Sequence, residues 1–236
     1  MPQKCVRLPY SFPKCPHKNY PCGTGSARCL PVGPRIRSTS PLCFGPWRSV
    51  IIQETSQGLS HIPLQDALFR EREIYCIGEI TREYVHALVM QLRWLQHDSP
   101  SAEITLYIDS PGGEVGSGLA LYDVMQAIQC PIRTVCANAA SMAAILFAAG
   151  SQREILPHAR IMIHDPLIAG GLGGSALQID SIAQDLMKTR AITAEILARH
   201  TGHTIAEVYA KTATDTYFDA TEAVAWGLAD RIVTTL

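Results

Sequence analysis

From Ile74 onward the chain repeats one pattern, a short β-prone apolar run, a turn, and then apolar residues at helical spacing. Ile74-Tyr-Cys-Ile77 ends at Gly78, and Thr81 to Gln96 then sets Tyr84, Ala87, Leu88, Leu92 and Leu95 at the spacing of a helix face. Ile104-Thr-Leu-Tyr-Ile108 is closed by Ser110-Pro-Gly-Gly113, after which Val115, Leu119, Tyr122 and Met125 trace a second helix. Ile132 to Cys136 opens a third unit, whose helix runs from Ser141 to Ala149. Arg160 to Ile163 is a further strand, and Ser175 to His200 a long helix carrying Ile179, Ile182, Leu186, Ile192 and Leu197. Parallel strands need a crossover of a dozen or more residues between them, usually a helix. The alternation therefore predicts an α/β fold with parallel strands and crossover helices.

At 236 residues and 47% apolar content the chain is long enough for one domain with a substantial core. A formal charge of −1 gives no bulk electrostatic reason to expect nucleic acid. No apolar run reaches the roughly 18 residues of a membrane span, so a soluble protein is expected. The sequence has no H-E-x-x-H and no G-x-x-x-x-G-K-[ST]. Gly170-Gly-Leu-Gly-Gly174 does not directly follow a strand in a dinucleotide-type unit, and it reads as a flexible connection.

Charge is distributed unevenly. No Asp or Glu precedes Glu54, whereas Lys4, Arg7, Lys14, Lys18, Arg28, Arg35, Arg37 and Arg48 all do. The same stretch is rich in proline and holds Cys5, Cys15, Cys22, Cys29 and Cys43, in spacings that match no common zinc pattern but leave a disulfide framework open. It lacks the continuous apolar run of a secretory signal, and its prolines would break the amphipathic helix of a mitochondrial-type presequence. Residues 1–48 are expected to be a disordered or processed extension, and residues 49–236 the folded domain. Val50-Ile-Ile52 reads as a short strand leading into a polar loop at Gln53 to Gly58. Cys76, Cys130 and Cys136 lie among apolar residues and read as buried free thiols, the usual state in a reducing compartment.

Ser141 stands where a strand has ended and an apolar helix begins, within Asn138-Ala-Ala-Ser-Met-Ala-Ala144. Unpaired amides and the positive end of the helix dipole make that place favourable for a nucleophile, although serine is also a preferred N-cap there. The paired glycines of Ser110-Pro-Gly-Gly113 let backbone approach closely. A bare amide at Gly113 could complete, with that of Met142, a two-donor oxyanion hole. His164 follows a strand at the edge where α/β folds place chemistry, and it can take a proton from Ser141 and return it to a leaving amine. Asp165 is its neighbour in sequence, but consecutive strand side chains point to opposite faces, which argues against it as the carboxylate that orients the histidine. Spacing leaves Asp215, Asp180 and Asp219 open.

The ordered blocks Ile108-Asp-Ser-Pro-Gly-Gly113, Leu121-Tyr-Asp-Val-Met125, Ala139-Ala-Ser-Met-Ala143, Met162-Ile-His-Asp-Pro-Leu167, His200-Thr-Gly202 and Glu222 to Asp230 resemble the proteolytic subunit of the Clp protease, the ClpP family. The resemblance runs from about Val50 to the C-terminus. It implies a spiral ββα core related to crotonases with a protruding helical handle between Asp165 and about His200. It assigns Ser141, His164 and Asp215 to the catalytic positions, and Gly113 and Met142 to the oxyanion hole. It implies a serine endopeptidase that hydrolyses peptides and unfolded proteins, needs no metal or cofactor in this chain, and assembles as two stacked heptameric rings, a tetradecamer. An AAA+ Clp unfoldase would be the partner that uses ATP, Gln53 to Ile62 would form the axial pore loop, and the location would be cytoplasmic. Thr214 departs from the family, whose members commonly carry arginine there, and Leu59 to Asp66 departs from the usual pore-proximal segment. A weakly active or structural ring subunit working with a paralogue is the alternative reading. A crotonase-like acyl-CoA hydratase and a Ser–Lys peptidase using Lys188 are the competing enzyme classes.

Overall fold

The computed structural model describes residues 49–55, 58–171 and 173–236. The extension at residues 1–48, with its five cysteines, lies outside the described residues.

The chain enters as a hairpin, β1 (Val50–Thr55) against β2 (Gly58–Pro63), antiparallel from Val50 opposite Pro63 to Thr55 opposite Gly58. Gln53 to Thr55 and Gly58 are thus strand, not loop; pairing across the hairpin overrides the polar composition that made them read as a connection. The helix α1 (Leu64–Arg70) leads to β3 (Glu73–Ile77), α2 (Arg82–Asp98), β4 (Ile104–Ser110), α3 (Val115–Ala127), β5 (Ile132–Ala140), α4 (Met142–Ala148) and β6 (Gln152–Ile163). Beyond these lie α5 (Ala176–Thr201), α6 (Ile205–Thr212), β7 (Thr216–Phe218), α7 (Ala220–Ala225) and β8 (Arg231–Ile232).

Strands β3, β4, β5 and β6 are parallel in that order, as the alternation predicts. The sheet is nevertheless mixed, because β7 joins β6 antiparallel while β8 joins it parallel. One face carries the core. Ile74, Cys76, Leu106, Ile108, Ile132, Cys136, Ile155 and Ile161 are buried there, against Leu88 and Leu92 of α2, Leu121 and Met125 of α3, and the whole of α4. Cys76, Cys130 and Cys136 are buried free thiols, and burial pushes Cys76 and Cys136 up to about 12.

Two local features aim the strand ends. Between β5 and β6 the register moves from Cys136 opposite Ile155 to Asn138 opposite Arg160, so four residues of β6 stand against one of β5. Pro157 falls in this interruption, where no ladder donor is required of it. The other feature is the contact of α3 with α4. A Cβ at Gly118 would collide with the Met142 side chain, its sulfur at 2.8 Å, so only glycine lets the start of α4 lie this close.

The long helix α5 is capped at its start by Ser175 and Gln178 in a reciprocal capping box and stopped by Gly202 at φ 79°. Of its apolar residues only those near the C-terminal end are buried, namely Ala194, Ile196 and Leu197. Of the predicted apolar face, Leu197 is buried and Leu186 half-buried, whereas Ile179, Ile182 and Ile192 are exposed among the described residues, as are Leu177 and Met187.

His200 fastens this end of α5 to α3, its Nε2 lying 3.0 Å from the Tyr122 hydroxyl. Burial, then the charges of Arg153 and Arg199, hold the imidazole below its ordinary range and so favour the neutral ring. The unfolded chain therefore takes up the proton first, and stability falls as pH drops below about 6.5. Urea midpoints measured from pH 7.5 to 5 should decline in the wild-type protein and decline less in His200→Gln.

Candidate active site

Ser141 joins β5 to α4 with φ 57° and ψ −122°. A non-glycine residue in this region costs on the order of 1–3 kcal/mol and persists only where its surroundings impose it. Here they do: the Ser141 amide donates to Met162 O at 2.8 Å, and Ala144 N donates to Ser141 O at 3.1 Å. The turn ends a strand and starts a helix in a single residue. Ser141 stands at the N-cap position, yet its side chain makes no capping bond. Its Oγ lies instead 2.8 Å from His164 Nε2. Of the two roles the sequence leaves side by side, the side chain does not fill the capping one.

His164 follows the last residue of β6, and its side chain is mostly buried. Its Nδ1 is 3.1 Å from Asp215 Oδ1. Asp215 sits in the short link between α6 and β7, directly before Thr216, which pairs with Ile163. The antiparallel register therefore brings residues 164 and 215 together as the next pair beyond the ladder. Its carboxylate is more than half exposed.

The other three acids have different work. Asp219 caps α7 in a capping box with Glu222. Asp180 lies on exposed α5 and accepts from Gln184. Asp165 turns away from the imidazole and binds Arg190 and Thr212. Lys188 is exposed on α5, whereas Ser141 is bonded to His164.

Gly112 and Gly113 come to the same place from β4. Ile80 N donates to Gly112 O and Glu114 N donates to Ile80 O, each at 2.8 Å, forming a bridge that pins the glycine turn to the segment before α2. At Gly112, φ 93°, a Cβ would stand 2.6 Å from Ala140 O and 2.8 Å from the Ser141 Cβ. It would also come within 3.1 Å of the Met142 amide nitrogen. At Gly113, φ 153°, a Cβ would collide with the Ile80 backbone, whose nitrogen is at 2.7 Å. Neither the Gly113 amide nor that of Met142, at the first position of α4, has a hydrogen-bond partner among the described residues. Sequence reasoning takes Gly112 only as one of the paired glycines, without a role at the site, and misses Ile80. The doubled glycine is the signal for the first, and nothing in the sequence marks the second.

A hydroxyl bonded to imidazole, with the imidazole bonded to a carboxylate, can pass its proton to Nε2 as the oxygen attacks an electrophilic carbon. Free amides beside such a hydroxyl can accept the negative charge that then develops. These elements, from the second strand of the hairpin to β8, lie within the stretch matched by a family model described as Clp protease, residues 56–236. That match covers well over half of the chain, and the fold of the domain is ClpP-like. The chain therefore belongs to the Clp protease family, and it is a ClpP-type serine peptidase.

Proposed function

We propose that Ser141, His164 and Asp215 form the catalytic set of a serine endopeptidase subunit acting on unfolded polypeptides, with the amides of Gly113 and Met142 as the oxyanion hole. The observation that carries the reading is the bond of Ser141 Oγ to His164 Nε2 at 2.8 Å on a strained residue whose side chain caps nothing. In this mechanism Ser141 Oγ attacks the scissile carbonyl carbon while its proton passes to His164 Nε2. The carbonyl oxygen becomes an oxyanion held by the two amides. The C–N bond then breaks, and His164 gives the proton to the leaving amine. Water enters, loses a proton to His164 and attacks the acyl carbon. Collapse of the second intermediate releases the carboxyl product and returns the proton to Ser141 Oγ. Asp215 holds Nδ1–H and stabilises the imidazolium. No cofactor is required at this site, and ATP belongs to the partner.

The subunit works in rings, stacked in pairs and fed by an AAA+ Clp unfoldase, in the cytoplasm. Support for assembly comes from the apolar side chains that α5 leaves in water, Leu177 and Met187 most of all, and from Met90 and Trp94 on α2. Nucleic acid and membrane have no part in the reading; among the described residues no helix is long and apolar enough to cross a membrane. A second assembly, a mixed ring with a paralogue, is favoured by Thr214, which has no cation to offer across a ring interface.

The test is hydrolysis of a short fluorogenic peptide by the protein, with particle mass recorded on the same sample. Turnover by a large ring supports the proposal. Turnover of an acyl-CoA without peptide cleavage would overturn it in favour of a crotonase-like activity.

A further inference from the structure

We infer that Asp165, with Thr212 and Arg190, is the element that positions His164 and Asp215 against each other. The inference rests on the peptidase reading for its consequence in turnover, but its geometry is independent of that reading.

Asp215 is poorly held by itself. Its carboxylate is more than half exposed, and His164 is its hydrogen-bond partner among the described residues. An exposed side chain with one partner is free to leave it, so the alignment of the imidazole must come from elsewhere. The backbone supplies it from both sides. On one side, Ile163 pairs with Thr216 in the β6–β7 ladder, and the Thr216 hydroxyl donates to Lys211 O at 2.6 Å. On the other, the Asp165 amide donates to Thr212 O at 2.7 Å, and the Thr212 hydroxyl donates back to Asp165 Oδ1 at 2.6 Å. His164 and the link bearing Asp215 are thus each fixed at both neighbours, and to one another.

Thr212 ends α6 and is 3% exposed, so its hydroxyl has no water to replace Asp165. The second carboxylate oxygen of Asp165 accepts from Arg190 Nε of α5 at 2.6 Å. The Arg190 guanidinium in turn lies 4.0 Å from the centre of the Tyr209 ring on α6. One carboxylate therefore ties the histidine-bearing end of β6 to α5 and to the end of α6. With its charge met by Arg190, it also does not draw the imidazole away from Asp215. Asp165 and Thr212 are positioning residues, since neither touches Ser141.

The experiment compares Thr212→Val, which keeps the shape and removes the hydroxyl, with Thr212→Ser, which restores it. Each is assayed on the fluorogenic peptide with particle mass and melting temperature recorded, and the imidazole Nδ1–H proton of His164 is followed by NMR. Thr212→Val should lose about tenfold in kcat at unchanged KM, in keeping with small misplacements of reacting groups, and should broaden or lose the Nδ1–H signal. Thr212→Ser should return both toward the wild-type values. Asp165→Asn, which loses the charge facing Arg190 and keeps one accepting oxygen where the carboxylate offers two, should behave like Thr212→Val even if Thr212→Val proves too unstable to assay. Wild-type kcat together with an intact Nδ1–H signal in folded Thr212→Val or Asp165→Asn would overturn the inference. A wild-type protein with no peptide turnover would count against the peptidase reading alone, and the Nδ1–H signal in the variants would still decide the positioning role.

Discussion

Replacing Ser141 with alanine is expected to lower peptide turnover by up to about 10⁶-fold, the loss typical of removing the nucleophile from such a set. The fold should survive, because the Ser141 hydroxyl caps nothing and the strained backbone is held by the Met162 and Ala144 contacts that alanine retains. Particle mass and melting temperature should therefore stay close to wild type while activity disappears. The residual rate should not fall to that of water, since the Gly113 and Met142 amides remain to hold a developing oxyanion; about 10³-fold or more over the uncatalysed reaction is the usual remainder. If the proposed set is right, His164→Gln should cost about as much as Ser141→Ala, and the double variant little more, because the members of such a set act as one unit. Activity preserved in Ser141→Ala would show that another group attacks the peptide.

Gly113→Ala is expected to cost about 10²- to 10³-fold in kcat, the range found on losing one oxyanion donor. The side chain it introduces would point into the Ile80 backbone, which is fixed by two 2.8 Å bonds and cannot move aside as a flexible side chain would. The strand end must then shift, displacing the Gly113 amide from its proposed place in the oxyanion hole. Gly116→Ala is the matched control. Gly116 lies in the first turn of α3, at ordinary backbone angles, with nothing within 4 Å of the added carbon. It should keep its turnover and gain up to about 1 kcal/mol of stability from the better helix former. Assaying kcat and the urea midpoint for both variants separates the two effects. Equal, near-wild-type turnover in both would remove Gly113 from the site.

Much of this architecture is legible in the sequence because hydrophobic periodicity reports local structure directly. The run of apolar positions in α2 buries Leu88, Leu92 and Leu95, and Thr81, where the sequence begins the helix, is its N-cap and accepts from Tyr84 N. What the sequence hides is decided by pairing across distance. β7 is three residues long and shows no period, and β8 is shorter still; each exists because β6 offers it an edge. The first part of β6 is disguised by Pro157 and by charged residues, one of which, Glu154, is buried between Arg133 and Arg231.

The site divides along the same line. Ser141, His164 and the paired glycines each carry a local mark, a strand end or a sharp turn. The choice of Asp215 over Asp180 and Asp219 does not. Resemblance singles it out, and the antiparallel pairing of Ile163 with Thr216 is the physical reason it reaches the imidazole. For α5 the periodic pattern predicts an apolar face that the described domain buries at Leu197 but not at Ile179, Ile182 or Ile192. A periodic face records that a surface is covered, not whether the same chain covers it.

Covalent capture shows directly whether Ser141 is the nucleophile. The protein is incubated with a fluorophosphonate, and intact mass and a peptide map are read for the wild type and for Ser141→Ala. A single adduct per chain is expected, located on Ser141, appearing in step with loss of peptide turnover and absent from the variant. An adduct on another residue that tracks the loss of turnover, or full labelling of Ser141→Ala, would contradict Ser141 as the nucleophile.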